Sequence, residues 1–222
     1  MSIVIFSEVE KNTDFKPLFS LVSKERKDRL LCFKDEAAQH VGLLSDVIIR
    51  YCLFAATNYC NGVPMEGKNK YGKPQYLNYK DFEFNLSHTE NALVCCISEN
   101  SKAVGIDIEK ITDIEEHLDI AEHFFTIKEQ NYLNQFNGDT NLRFLEMWTR
   151  KEAYSKQKGK GLLMPYNSFE VYGNELIKMK TVMLRRYIIS ECSDLKEADI
   201  KLFILSNDFI WKHVIPLLQK IC

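Results

Sequence analysis

An α+β fold made of two similar halves is what this 222-residue sequence predicts, and three observations predict it. Helical and strand-like periodicities are both present. The strand-like runs come in blocks after the helices and do not alternate with them one by one. The order helix, strand, strand, strand then partly recurs along the chain. The halves meet near residue 103, giving an N-terminal half over 1–103 and a C-terminal half over 104–222. Each is expected to carry a small antiparallel sheet packed on helices.

The opening MSIVIFSEVE reads as a strand, because Ile3, Ile5 and Val9 alternate, and it lacks the basic start of a signal peptide. Two helical patterns follow between Ser23 and Asn58. The first is charged, SKERKDRLLCF; the second places Val41, Leu44, Ile48, Tyr51 and Ala55 at spacings of 3, 4, 3 and 4, one stripe down a helix. Asn61 to Lys80, rich in Gly, Pro, Asn and Lys, reads as a loop. Three strand-like runs come next: Phe82, Phe84 and Leu86 alternating, then ALVCCIS, then Val104, Ile106 and Ile108 alternating. In the second half Thr126-Ile127-Lys128-Glu129 forms a Thr-x-x-Glu capping box. A second helix spans about Leu142 to Lys158 and stops at Gly159 and Gly161. After Pro165 the runs SFEVYG, ELIKMKTVML, RRYIIS and IKLFIL all read as strands.

Composition narrows the function classes. With 45% hydrophobic and 27% charged residues the chain can bury a sizeable core. Twenty-nine Lys and Arg against 31 Asp and Glu give a net charge of −2, which excludes a strongly basic nucleic-acid binder. No apolar run is read as approaching the ~20 residues of a membrane span. Seven cysteines, at 32, 52, 60, 95, 96, 192 and 222, include no Cys-x-x-Cys pair, so free thiols and a cytoplasmic location are expected.

The richest segment for chemistry is Gly105-Ile106-Asp107-Ile108-Glu109. In a strand, Val104, Ile106 and Ile108 turn to the core while Gly105, Asp107 and Glu109 share the other face. Two carboxylates about 7 Å apart along that face suit a hard divalent cation, Mg²⁺ or Mn²⁺. A solvated acidic edge explains the same short pattern. In Trp148-Thr149-Arg150-Lys151-Glu152-Ala153-Tyr154-Ser155-Lys156, Glu152 and Lys156 share a helix face. That is either a surface ion pair or a third carboxylate with a cation beside it. Asn85-Leu86-Ser87-His88 puts a histidine at a strand end, where it can meet a phosphate or merely cap a turn. Gly67 to Lys73 mimics a phosphate-binding loop, but Pro74 stands where the Mg²⁺-ligating Ser or Thr belongs. Lys73 remains a candidate phosphate contact, as do Arg26 and Arg29, three apart on one helix face.

Together these motifs resemble the 4′-phosphopantetheinyl transferases of the larger, pseudo-dimeric class. The resemblance rests on Gly105-Ile106-Asp107-Ile108-Glu109 followed by Trp148 to Lys156, and extends to Tyr71-Gly72-Lys73-Pro74, Phe124-Phe125-Thr126 and Lys158-Gly159-Lys160-Gly161-Leu162. It implies transfer of the phosphopantetheine arm of coenzyme A to a serine of an apo acyl or peptidyl carrier protein, with release of adenosine 3′,5′-bisphosphate. It further implies that Asp107, Glu109 and Glu152 ligate Mg²⁺, that Glu152 is a candidate base for the serine, directly or through a metal-bound water, and that Lys156 stabilises the departing phosphate; which group is the base differs within the family. Arg26, Arg29, Lys73, Ser87 and His88 become coenzyme A contacts, with His88 on the 3′-phosphate. Arg26 and Arg29 stand where the family uses lysines, and Gly42 where it carries a hydroxyl. A monomer is implied, because the two halves supply one another's interface.

The competing reading is a Mg²⁺-dependent nuclease or nucleotide hydrolase. A nuclease of the acid-x-Lys kind places its lysine two residues after the acid on one strand face. Here Lys110 directly follows Glu109 and faces the other way.

Overall fold

Alternation along the first strand decides the layering. In the computed structural model, which describes residues 2–10, 13–98, 102–194 and 200–221, β1 (Ser2–Glu8) lies inside a four-stranded sheet. The other strands are β4 (Phe84–Thr89), β5 (Ala92–Ser98) and β9 (Ile200–Ile204), in the order β4-β5-β1-β9. Ile5, Leu93, Cys95 and Ile97 on one face meet Val41, Leu44 and Ile48 of helix α2 (Glu36–Thr57) in the first core. Val4, Phe6, Val94 and Cys96 on the other face meet Val104, Ile106, Ile108, Tyr187 and Ile189. These belong to a second sheet, order β6-β8-β7, formed by β6 (Val104–Lys110), β7 (Met179–Leu184) and β8 (Tyr187–Ser193). Both ladders of this sheet are antiparallel, with Asp107 opposite Ser190. Its far face is covered by α5 (Thr140–Gln157), where Phe125, Phe144, Leu145, Met147 and Ile188 make a third core. The order of layers is helix, sheet, sheet, helix, and apolar side chains fill all three gaps.

Helix ends follow local chemistry. Ser23 caps α1 (Lys24–Leu31) by accepting from the Arg26 amide, and Asp35 caps α2 through the Ala37 amide. The Thr126/Glu129 box opens α4 (Ile127–Asn134) as expected. Asp139 caps α5, which begins two residues ahead of the start read from the sequence. A further helix, α3 (His117–Phe124), has no side-chain cap and was not expected.

The structure differs from the expectations at four other places. The presumed loop 61–80 contains a hairpin, β2 (Glu66–Lys68) and β3 (Pro74–Tyr76). SFEVYG is not a strand: residues 166–168 form a 3₁₀ turn, and buried ionic groups, not a ladder, satisfy the backbone beyond it. The Tyr166 and Phe169 carbonyls accept from Lys151, and the Val171 amide donates to Glu129. IKLFIL forms β9, which leaves the second half and runs parallel to β1. The helical segments that follow, α6 (Asn207–Phe209), a π turn (Ile210–Val214) and α7 (Ile215–Ile221), place Ile210, Val214 and Leu218 in the first core. Finally, α2 is long and apolar enough to cross a membrane by length and composition, contrary to the reading that no such run exists. Most of its apolar surface is buried on the first sheet. Of the cysteines, 32, 52, 60, 95, 96 and 192 are free thiols, and Cys222 lies outside the described residues.

Between the sheets lies one buried acid. Glu191 is 1% exposed; Ser2 donates to its Oε1 at 2.7 Å, and its Oε2 has no partner. Burial lifts this carboxyl above its ordinary value, so the folded chain holds the proton more tightly than the unfolded chain. The stability this gives is full below the ordinary carboxylate range and is lost as pH rises through the raised value. Glu191→Gln removes that titration. Its melting temperature relative to the wild type should therefore rise between pH 5 and pH 8; a difference that shrinks over that interval would refute the assignment.

Candidate active site

Strand period two sends Gly105, Asp107 and Glu109 of β6 toward α5, as the sequence implied. The helix backbone comes very close at the glycine. A Cβ on Gly105 would lie 2.0 Å from the Ala153 carbonyl oxygen and 2.4 Å from the Gln157 amide nitrogen. Both atoms are helix backbone and cannot swing aside, so only glycine admits this approach. The approach brings Glu152 and Lys156, one turn apart on α5, over Asp107.

A compact polar knot results. Lys156 Nζ lies 2.6 Å from Asp107 Oδ1, 2.9 Å from Ser87 Oγ and 3.9 Å from Glu152 Oε2. Ser87 donates to the same Asp107 oxygen at 2.7 Å. Ser87 comes from β4, in the other sheet, so the knot ties the two halves together. Two residues earlier, Asn85 Oδ1 accepts the Ile106 amide at 2.8 Å and continues the seam. Asp107 is 3% exposed, and its Oδ2 has no hydrogen-bond partner. Burial, then the charge of Asp107, pushes Glu109 up to about 7, against the pull of Lys156. Glu152 is raised by the same two causes. Three acids here share one lysine.

Among the described residues no three Asp, Glu, His or Cys side chains are gathered as a ready-made metal cage. The donor set nevertheless fits a hard divalent ion. It is all oxygen, one buried oxygen lacks a partner, and burial together with the neighbouring Asp107 charge raises both Glu109 and Glu152.

The cationic residues are distributed around this knot. Arg26 is ion-paired with Asp46 and donates to the Gly42 carbonyl at 3.4 Å, while Arg29 is exposed. Both line a cleft of about 370 Å³ with Lys68, Gln75, Tyr76 and Leu86. Gly42 has a packing role as well: a Cβ there would meet the Leu30 side chain at 2.5 Å, which keeps α1 close to α2. The exposed His88 is held below the usual histidine value by desolvation and by the charges of Lys156 and Arg26. Lys73 sits beside β6. Its Nζ donates to the Val104 carbonyl at 3.0 Å and lies 3.7 Å from Glu83, so it braces the seam. Beside it Asn69 donates to the Gly159 carbonyl at 3.1 Å. A larger apolar hollow of about 870 Å³, between α2 and the first sheet, contains none of the carboxylates.

Sequence reasoning missed Lys151 as a structural group. It is 0% exposed, and its ammonium meets Glu129 at 2.7 Å, the Tyr166 carbonyl at 2.8 Å and the Phe169 carbonyl at 2.7 Å. All three of its protons are used. The available signal was its place on the stripe Phe144, Met147, Lys151, where a helix facing its core normally carries an apolar residue.

Residues 103–203 match the model of the 4′-phosphopantetheinyl transferase superfamily. The chain is 36% identical over 170 residues to the 4′-phosphopantetheinyl transferase gsp of Aneurinibacillus migulanus, an alignment covering 76% of this chain and 69% of that protein. It is 32% identical over 163 residues to the 4′-phosphopantetheinyl transferase Sfp of Bacillus subtilis (strain 168), covering 73% and 70% respectively. The chain belongs to the 4′-phosphopantetheinyl transferases. It is thus an enzyme that transfers phosphopantetheine to carrier proteins. The matched segment runs from the start of β6 through α5 into β9, so it contains the whole acidic knot except Ser87.

The close approach at Gly105 can be tested directly. Gly105→Ala should lower unfolding free energy by about 3 kcal/mol, the upper end for overpacking, because backbone must move. It should also lower transfer by more than the loss of folded protein explains. An unchanged urea midpoint would show that α5 does not approach β6 so closely.

Proposed function

We propose that this transferase takes the phosphopantetheine arm from coenzyme A, with Mg²⁺, and places it on a serine of an apo acyl or peptidyl carrier protein. Adenosine 3′,5′-bisphosphate is the other product. The observation that carries the reading is the knot beneath Gly105, where Asp107, Glu152 and Lys156 converge with an unpartnered carboxylate oxygen among them and Glu109 feels the charge of all three. The matched relatives lend no support to the nuclease or hydrolase alternative.

In this reading Asp107, Glu109 and Glu152 hold the Mg²⁺, and Mn²⁺ suits the same oxygens. When bound, the ion neutralises the diphosphate of coenzyme A. Glu152 accepts the serine proton, directly or through a water, as the serine oxygen bonds to the β-phosphorus. The bond from that phosphorus to the bridging oxygen breaks, and Lys156 meets the charge left on the departing bisphosphate. Ser87 holds Asp107 and Lys156 in register. Arg29 and His88 bind the 3′-phosphate, and Arg26 joins them from its pairing with Asp46. The enzyme acts as a cytoplasmic monomer, without nucleic-acid or membrane partners.

Incubation with coenzyme A, Mg²⁺ and apo carrier, followed by intact-mass measurement of the carrier, tests the reading. One phosphopantetheine should be added per carrier. Asp107→Ala and Glu152→Ala should each slow the addition about 10²-fold or more, the usual loss on removing a positioned base or charge. No mass gain on any of several carrier types would sink the reading, and hydrolysis of coenzyme A without transfer would favour the hydrolase.

A further inference from the structure

A buried hydroxyl beside the knot has no partner in the resting protein. Tyr166 is 4% exposed, and its Oη makes no hydrogen bond. Such a group costs about 1–3 kcal/mol when left unsatisfied, so a buried tyrosine normally finds an acceptor. Its position is tightly fixed. Lys151 holds its carbonyl at 2.8 Å, and its ring packs edge-on against Trp148 with centroids 5.8 Å apart. Phe124 and Phe169 close the other sides, with centroids 6.3 Å and 6.1 Å away. Trp148 is one turn before Glu152 on the same face of α5, so the ring that packs on Trp148 lies beside Glu152, and each of the two groups feels the other electrostatically. The other polar neighbour is Ser155 Oγ, whose proton is already given to the Gly161 carbonyl.

We infer that Tyr166 is a positioning residue for the transfer reaction: its hydroxyl, unpartnered at rest, donates to one oxygen of Glu152 during transfer and leaves the remaining lone pairs for Mg²⁺ and the incoming serine proton. The inference rests on the proposed role of Glu152. A carboxylate offers about four lone-pair sites, so one donor from Tyr166 leaves room for the serine proton. A bond to a charged acceptor is also roughly twice as strong as one to a hydroxyl, which favours Glu152 over Ser155. The aromatic cage and the Lys151 clamp keep the phenol from turning to water. The carboxylate can then be presented in one rotamer without a second charged group.

The test is Tyr166→Phe, which removes only the hydroxyl, measured for kcat, KM and melting temperature with saturating Mg²⁺. Expected are a fall in kcat of about tenfold, the worth of one hydrogen bond to a charged group, KM values for coenzyme A and carrier within about twofold, and an unchanged or higher melting temperature. In a Glu152→Asp background, where the carboxylate is drawn back, the same change should cost less than about twofold. An unchanged kcat, a loss explained by a smaller folded fraction, or the full tenfold loss in the Glu152→Asp background would overturn the inference. A wild-type chain that adds nothing to any carrier would overturn the transferase reading itself, and this inference with it.

Discussion

A methyl group on Gly105 would stand 2.0 Å from the Ala153 carbonyl oxygen, and this near-contact of β6 with α5 fixes every acidic group of the site. Without it the helix would ride higher on the sheet, and Lys156 would not reach Asp107. The apolar alternation of Val104, Ile106 and Ile108 pins the strand from the opposite face, against the first sheet. Phe144, Leu145 and Met147 pin the helix. The site is thus held by two cores, one on each side of a single strand, which is how a small sheet can carry side chains with little freedom.

The electrostatics follow from that confinement. Three carboxyls are crowded by burial, and one lysine cannot neutralise them, so Glu109 and Glu152 are pushed upward. A second buried cluster is balanced. Lys151, fully buried, has an acid and two carbonyls for its three protons. The contrast separates a pair that braces the fold from a cluster still short of positive charge. A buried pair of the first kind holds α4, α5 and the turn at Tyr166 in one unit, and is costly to break from either side.

Much of this was legible in the sequence, because strand and helix periods place Asp107 with Glu109 and Glu152 with Lys156 without any tertiary information. The capping box at Thr126 was legible for the same reason: its chemistry is local. What escaped depends on distant partners. SFEVYG has the alternation of a strand, but Glu129 and Lys151 claim its backbone first. IKLFIL was read correctly as a strand, yet its pairing with β1 was set by an edge that lies almost two hundred residues earlier in the chain. The hydrogen bond from Lys73 to the Val104 carbonyl could not be read from the Gly and Lys around it, because its partner lies thirty-one residues away. The Arg26–Asp46 ion pair likewise depends on a partner twenty residues away.

The central claim is that Asp107, Glu109 and Glu152 form one cation site together with bound coenzyme A. A crystal grown with coenzyme A and Mn²⁺, examined for anomalous scattering, tests it most directly. One manganese peak among the three carboxylates is expected, with Lys156 displaced from Asp107 toward the diphosphate. Coenzyme A bound in the cleft with the manganese elsewhere, or with Lys156 still closed on Asp107 and no metal between the acids, would contradict it.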